Sequence, residues 1–161
     1  MNQQNIIEVR GLRAETKTID VEPGKSVYIA DSEGACILLR GKSIKVVIID
    51  VKDCAVAVES VISNLEMVRG KSTLVVLGKG GMVNIENCVE CALALVPNNC
   101  EIRLRRNTSV SLAHLPGLEI GSMTIEEIRG AHAAKAPTML PDEIKVEFSS
   151  GESKYTVVND Y

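Results

Sequence analysis

The sequence predicts an all-β protein, a right-handed parallel β-helix (a solenoid) with a C-terminal β-hairpin. Three observations predict it: short apolar runs recur at an even spacing, turn-forming residues separate them, and bulky aromatic residues are scarce. The 161 residues include one Phe, three Tyr and no Trp, so Val, Ile, Leu, Ala and Cys must build the core. A thin stack of aliphatic layers suits such a core better than a thick one, which usually draws on aromatic volume.

Ten short apolar runs carry the repeat. Their starts lie eight to ten residues apart, at Val27, Ile37, Val46, Val56, Leu65, Leu74, Val83, Ala92, Ile102 and Val110. Gly, Asn, Asp and Ser between the runs indicate short strands. Antiparallel sandwiches and barrels favour longer alternating strands, whereas a solenoid needs short strands at an even period. We therefore expect about five coils of two strands and roughly 18–20 residues each.

The coils are expected over about residues 20–116 of a single domain that spans residues 1–161. Cysteine spacing agrees with this period, because Cys36 and Cys54 lie 18 residues apart and would stack in successive coils. After Gly117 the repeat fails. Thr124–Ala136 predicts a short helix, and Ile144–Phe148 with Lys154–Val158 predicts a hairpin. Residues 117–161 are thus expected to cover the open end of the solenoid and its strand edges.

Charge and hydropathy exclude several classes of partner. The net charge is −3, and the basic residues are neither dense nor interleaved with aromatics, so nucleic-acid binding is not expected. No apolar run approaches the length of a membrane span, and the polar N-terminus does not resemble a signal peptide. We expect a cytoplasmic protein with reduced cysteines.

The chemical motifs are incomplete. The GKS triplets at Gly41–Ser43 and Gly70–Ser72 lack the glycine that a phosphate-binding loop needs five residues earlier. Cys88-x-x-Cys91 has no second ligand pair, so neither a metal nor another cofactor is expected. No nucleophile elbow or catalytic carboxylate pair occurs. The sequence therefore favours a binding module over an enzyme.

Four segments resemble, in order, the C-terminal domain of cyclase-associated proteins. They are VEPGKSVYIADSEGACILLR with the following Gly-Lys (residues 21–42), VESVISNLEMVRGK (58–71), LVVLGKGGMVNI (74–85) and the terminal segment 140–158. Val58, the Arg69–Gly70 pair and the ending VVNDY depart from the family pattern. The helical, proline-rich and WASP-homology segments of longer members are absent, so the chain resembles a short stand-alone form.

The resemblance implies a parallel β-helix that binds actin monomers and promotes nucleotide exchange on ADP-actin. It implies actin contacts at Lys42, Lys45, Ser63, Glu66, Arg69, Lys71, Asn159, Asp160 and Tyr161. It also implies a homodimer formed by exchange of the C-terminal hairpin, through Ile144, Val146, Phe148, Tyr155 and Val157. Three of the four aromatic residues lie in the last fourteen positions, as a buried dimer seam would need.

Two other functions remain open. The tubulin-binding cofactor C domain has a related solenoid and activates GTP hydrolysis with an arginine, a role that Arg103, Arg105 or Arg106 would take here. A structural solenoid that polymerises end to end is the other alternative.

Overall fold

The computed structural model describes residues 5–142, 144–149 and 152–156. In this part of the chain, fifteen strands form two sheets that enclose the core. Sheet A contains, in spatial order, β1 (Ile6–Arg10), β3 (Ser26–Glu33), β5 (Val46–Lys52), β7 (Leu65–Val68), β9 (Met82–Glu86), β11 (Asn99–Arg105), β14 (Ile144–Ser149) and β15 (Glu152–Thr156). Sheet B contains β13 (Thr138–Met139), β12 (Ser111–His114), β10 (Ala92–Leu95), β8 (Leu74–Lys79), β6 (Ala55–Val61), β4 (Cys36–Ser43) and β2 (Thr16–Asp20).

Strands β1 to β12 build a parallel β-helix of about six coils. Each coil contributes one strand to sheet A and the next strand to sheet B, and equivalent strands pair in parallel. Val46 pairs with Val27 of the coil before and with Leu65 of the coil after. Because every coil bonds its neighbours, a chain of very short strands satisfies its backbone groups. The predicted fold class is confirmed.

The first coil lies upstream of the predicted start near residue 20. Its strands are β1 and β2, and Lys17 of β2 occupies the register position of the buried Ile37. A polar residue is tolerated there because the first coil forms the open end, and this weakens the apolar signal in the sequence. The predicted stacking of Cys36 on Cys54 is wrong, since this coil has 19 residues and Cys36 pairs with Ala55.

Left-handed residues make the turns from sheet A to sheet B compact. Two such residues, three positions apart, recur in successive coils: Asp50 and Asp53, Arg69 and Ser72, Asn87 and Glu90, Arg106 and Ser109. Their φ angles lie between 48° and 59°. Asp, Asn and Ser suit these positions better than β-branched residues do, which explains the turn-formers between the apolar runs.

A second hydrophobic cluster covers the outer face of sheet B. Helix α1 (Ile125–Ala133) follows a short 3-10 turn (Ile120–Ser122), and its buried Ile125 and Ile128 pack against Leu38, Ala57 and Val76. Thr124 caps the helix, because its hydroxyl accepts the N–H of Glu127 while the Glu127 carboxylate accepts the N–H of Thr124. The predicted helix therefore exists, but it covers a face of the solenoid.

The C-terminal strands pair with the last coil. β14 runs antiparallel to β11, and β15 pairs with β14, so that Val146 stands opposite both Ile102 and Tyr155. The hairpin was predicted with its second strand at 154–158; the strand occupies Glu152–Thr156, and Val157 lies outside the described residues. On sheet B, β13 pairs with β12.

Candidate functional site

Sheet A presents partly exposed side chains on its outer face. Two lines of turns border this face. The B-to-A corner comprises residues 41–45, 60–64 and 79–81, where the chain passes from sheet B to sheet A. The A-to-B corner comprises residues 50–53, 69–72 and 87–90, where it returns. All six actin-contact candidates in the described part of the chain lie on this face or at its corners.

Lys42, Lys45, Ser63 and Glu66 come together around the B-to-A corner. The ammonium of Lys45 lies 3.4 Å from a carboxylate oxygen of Glu66 on the next coil, and Asn64 donates to the same oxygen at 3.3 Å. Both side chains are about one-third exposed, so the pair neutralises itself. Lys42 and Ser63 are exposed. Within residues 5–142, Lys42 forms no ion pair.

Arg69 and Lys71 lie at the opposite corner. The Arg69 guanidinium grips Asp50 of the preceding coil with two contacts, Nε to Oδ1 at 2.7 Å and Nη2 to Oδ2 at 3.0 Å. These hydrogen bonds lower the pKa of the Asp50 carboxyl and raise the pKa of Arg69. Lys71 is exposed and stands level with Lys52 and Val89 of the adjacent coils.

The predicted set therefore divides into two groups. Strand β7 separates them, and five residues from Asn64 to Arg69 span about 16 Å of extended chain. Between the corners the outer face of sheet A carries half-buried apolar side chains: Tyr28, Val47, Ile49 and Val68. The Arg10 guanidinium lies 5.6 Å from the centre of the Tyr28 ring. This is a mixed apolar and charged surface of the kind that protein partners contact.

Sequence reasoning missed three residues at the B-to-A corner. Ile44 is 37% and Ile62 59% exposed, which makes them surface hydrophobics in a chain whose other isoleucines are mostly buried. Lys79 stands level with Ser60, and Ser60 with Lys42. The sequence places Ile62 beside Val61 in one apolar stretch, and only the strand register shows which of the two points outward.

The arginine cluster at the end of sheet A does not form a phosphate site. Arg103 and Arg105 line a groove of about 250 Å³ together with Glu66, Asn84 and Glu86. Arg103 also contacts Glu101 at 3.1 Å. Carboxylates on both sides of the groove would repel a nucleotide phosphate, so the geometry gives no support to an arginine-assisted GTPase role.

Cys88 and Cys91 are buried packing residues at the A-to-B corner. The Cys88 sulfur accepts the N–H of Gly70 at 3.3 Å, and a hydrogen bond with Cys91, together with burial, raises the pKa of Cys88. Among the described residues no three His, Cys, Asp or Glu side chains are placed to hold a metal ion. The fully buried thiols offer no open coordination site.

Asn159, Asp160 and Tyr161 lie outside the described residues, so their predicted contacts stay predictions. No helix in the described ranges has the length and apolarity to cross a membrane.

Comparisons with known proteins agree on the fold and the family. The model of the adenylate cyclase-associated (CAP) C-terminal family matches residues 2–118. The structure of cyclase-associated protein from Cryptosporidium parvum superposes with a TM-score of 0.71 at 14% sequence identity, over 98% of this chain and 93% of that one. At that identity the superposition speaks for the fold alone. No curated protein matches the chain by sequence. Because the family model covers more than half of its length, the chain belongs to the family of adenylate cyclase-associated protein C-terminal domains.

Proposed function

We propose that this chain binds actin monomers through the outer face of sheet A and promotes nucleotide exchange on ADP-actin. Membership of the cyclase-associated C-terminal family carries the proposal. The site adds a physical reason, since sheet B is covered by α1 whereas sheet A presents apolar and charged side chains. The proposed role is binding, with no bond made or broken by the chain itself.

Electrostatics favours the corners over the centre of the face. Actin is acidic, so unpaired lysines would assist its approach. Lys42 at one corner and Lys71 at the other are exposed and without an ion-pair partner in residues 5–142. Lys45 and Arg69 are held by carboxylates of adjacent coils. Lys42 and Lys71 therefore bear on the rate of encounter and its salt dependence, and the paired residues bear on the shape of the surface.

Two double variants test which corner contacts actin. Lys42→Ala with Lys45→Ala removes the B-to-A charges, and Arg69→Ala with Lys71→Ala removes those of the A-to-B corner. A rim charge contributes on the order of 1 kcal/mol, about fivefold in affinity. The pair at the true contact should weaken binding to labelled ADP-actin by at least about that factor and slow nucleotide exchange.

Lys17→Ala with Lys135→Ala is the matched control, since both lysines are exposed away from sheet A. This control should bind like the wild type. The proposal fails if wild-type protein shows no binding to ADP-actin at low ionic strength. If it binds and both double variants bind equally well, actin contacts a different surface.

We further propose that the chain dimerises by hairpin exchange. β14 pairs antiparallel with the edge of β11 over Asn99–Leu104, and a hairpin from a second copy would find the same row of backbone donors and acceptors there. Such an exchange preserves every strand pairing that the single chain makes.

A further inference from the structure

The B-to-A corner carries a ridge of two exposed isoleucines. Ser43 and Val61 are 0% and 4% exposed, and the residues that follow them, Ile44 and Ile62, point outward. The N–H of Ile62 donates to the carbonyl of Ser43 at 2.9 Å, and the N–H of Ser63 donates to that of Ile44 at 2.8 Å. These bonds place Ile44 and Ile62 side by side on consecutive coils, about 4.8 Å apart along the solenoid.

The ridge ends in a notch at Gly81. Lys79 pairs with Ser60, so Gly81, two residues later, stands level with Ile62. A Cβ atom on Gly81 would meet no atom within 4 Å, and the backbone there is outside the left-handed region. No local constraint of the fold thus requires glycine at this position. Its effect is to leave the flank of Ile62 open, at 59% exposure.

Two unpaired lysines border the ridge. Lys42 and Lys79 both pair with Ser60 across three consecutive coils, two positions before Ile44 and Gly81. Both are exposed, and neither forms an ion pair within residues 5–142. The nearby carboxylates are engaged, since Glu59 accepts the N–H of Gly41 at 2.6 Å and Glu66 pairs with Lys45. The partner that complements this surface is apolar at its centre and acidic at its rim.

We infer that Ile44, Ile62 and the notch at Gly81 form the apolar contact that seats in a cleft of the actin monomer, with Lys42 and Lys79 facing carboxylates at the rim of that cleft. The inference rests on the proposed function and specifies its contact. Interface energy concentrates in a few apolar residues that exclude water, while charged rims contribute less. The ridge supplies that centre beside the candidates Lys42, Lys45 and Ser63.

The test compares full-length variants for binding to labelled ADP-actin. Ile62→Asp places a charge on the ridge, and Gly81→Gln fills the notch without changing charge. Gly130→Gln is the matched control, because a Cβ atom on Gly130 of α1 would also meet no atom within 4 Å and this residue lies on the sheet B side. Circular dichroism and thermal melting should be unchanged in all three, since each new side chain enters solvent.

We expect Kd to rise about tenfold or more for Ile62→Asp and about fivefold for Gly81→Gln, with Gly130→Gln within about twofold of the wild type. Ile62→Val should restore most of the affinity. If the wild type binds actin while Ile62→Asp and Gly81→Gln bind equally well, the ridge is not the contact and the inference is wrong. If the wild type itself does not bind, the proposed function and the inference both fall.

Discussion

Replacing Asn107 by Ala tests how the corners of the solenoid are held. The Asn107 side chain is 3% exposed. Its Oδ1 accepts the N–H of Cys88 at 2.9 Å, and its Nδ2 donates to the carbonyl of Ile85 at 2.9 Å. Both partners belong to the preceding coil, at the point where left-handed residues interrupt the regular strand pairing. The side chain therefore supplies the hydrogen bonds that the turn removes.

The cost of Asn107→Ala follows from these two bonds. Alanine leaves one buried N–H and one buried carbonyl without a partner, and each such group costs about 1–3 kcal/mol. We expect a loss of about 2–4 kcal/mol in the free energy of unfolding. For a domain of this size, 1 kcal/mol lowers Tm by about 2–4 °C, so the variant should melt about 5–15 °C below the wild type.

Urea denaturation and calorimetry of the full chain measure this effect. Thr108→Ala is the control, because Thr108 is the exposed neighbour of Asn107 and should change stability by no more than about 0.5 kcal/mol. Ser32→Ala tests the same role in the second coil, where the Ser32 hydroxyl accepts the N–H of Leu12 at 3.1 Å. A loss below about 1 kcal/mol for Asn107→Ala would refute this account of the corners.

Two further predictions concern the C-terminal part of the chain. A chain ending at Pro141 should sediment as a monomer while the full chain sediments as a dimer; a truncated protein that remains dimeric would place the interface elsewhere. Thr124→Ala should cost about 1 kcal/mol of helix stability, seen as faster amide exchange in α1. Hydrogen bonds from Thr124 lower the pKa of Glu127 from its ordinary 4.5. Its contribution is therefore present above pH 4.5 and is lost as the pH falls through the lowered value. Glu127→Gln should remove that acid-sensitive step; an unchanged pH profile would contradict the assignment.

The fold could be predicted because each coil repeats one physical requirement. Every strand must bury alternate residues against the same thin core, so apolar runs recur wherever a strand passes. The first coil escaped this logic at the open end, where Lys17 takes an inward register position. The exact period escaped it too, since one residue more per coil moves Cys54 away from Cys36.

The site could be predicted only in part. Sequence spacing indicated the coils that carry Lys45 and Arg69, but it could not show that 16 Å of strand separates their corners. Nor could it show that Glu66 neutralises Lys45 or that Asp50 holds Arg69. Such pairs join residues 19 to 21 positions apart, and only the strand register decides which of several candidate carboxylates lies opposite.

A solenoid makes unexplained surface residues visible, because each outward position has an equivalent neighbour one coil away. At many positions the neighbours satisfy each other: Asp50 meets Arg69, Glu33 meets Lys52, and Lys45 meets Glu66. At the B-to-A corner the register places exposed apolar residues side by side and leaves two lysines without carboxylates. Folding gains little from those residues where they stand. The most economical reason for them is a partner that buries the isoleucines and pairs the lysines, which is what an acidic protein with an apolar cleft would do.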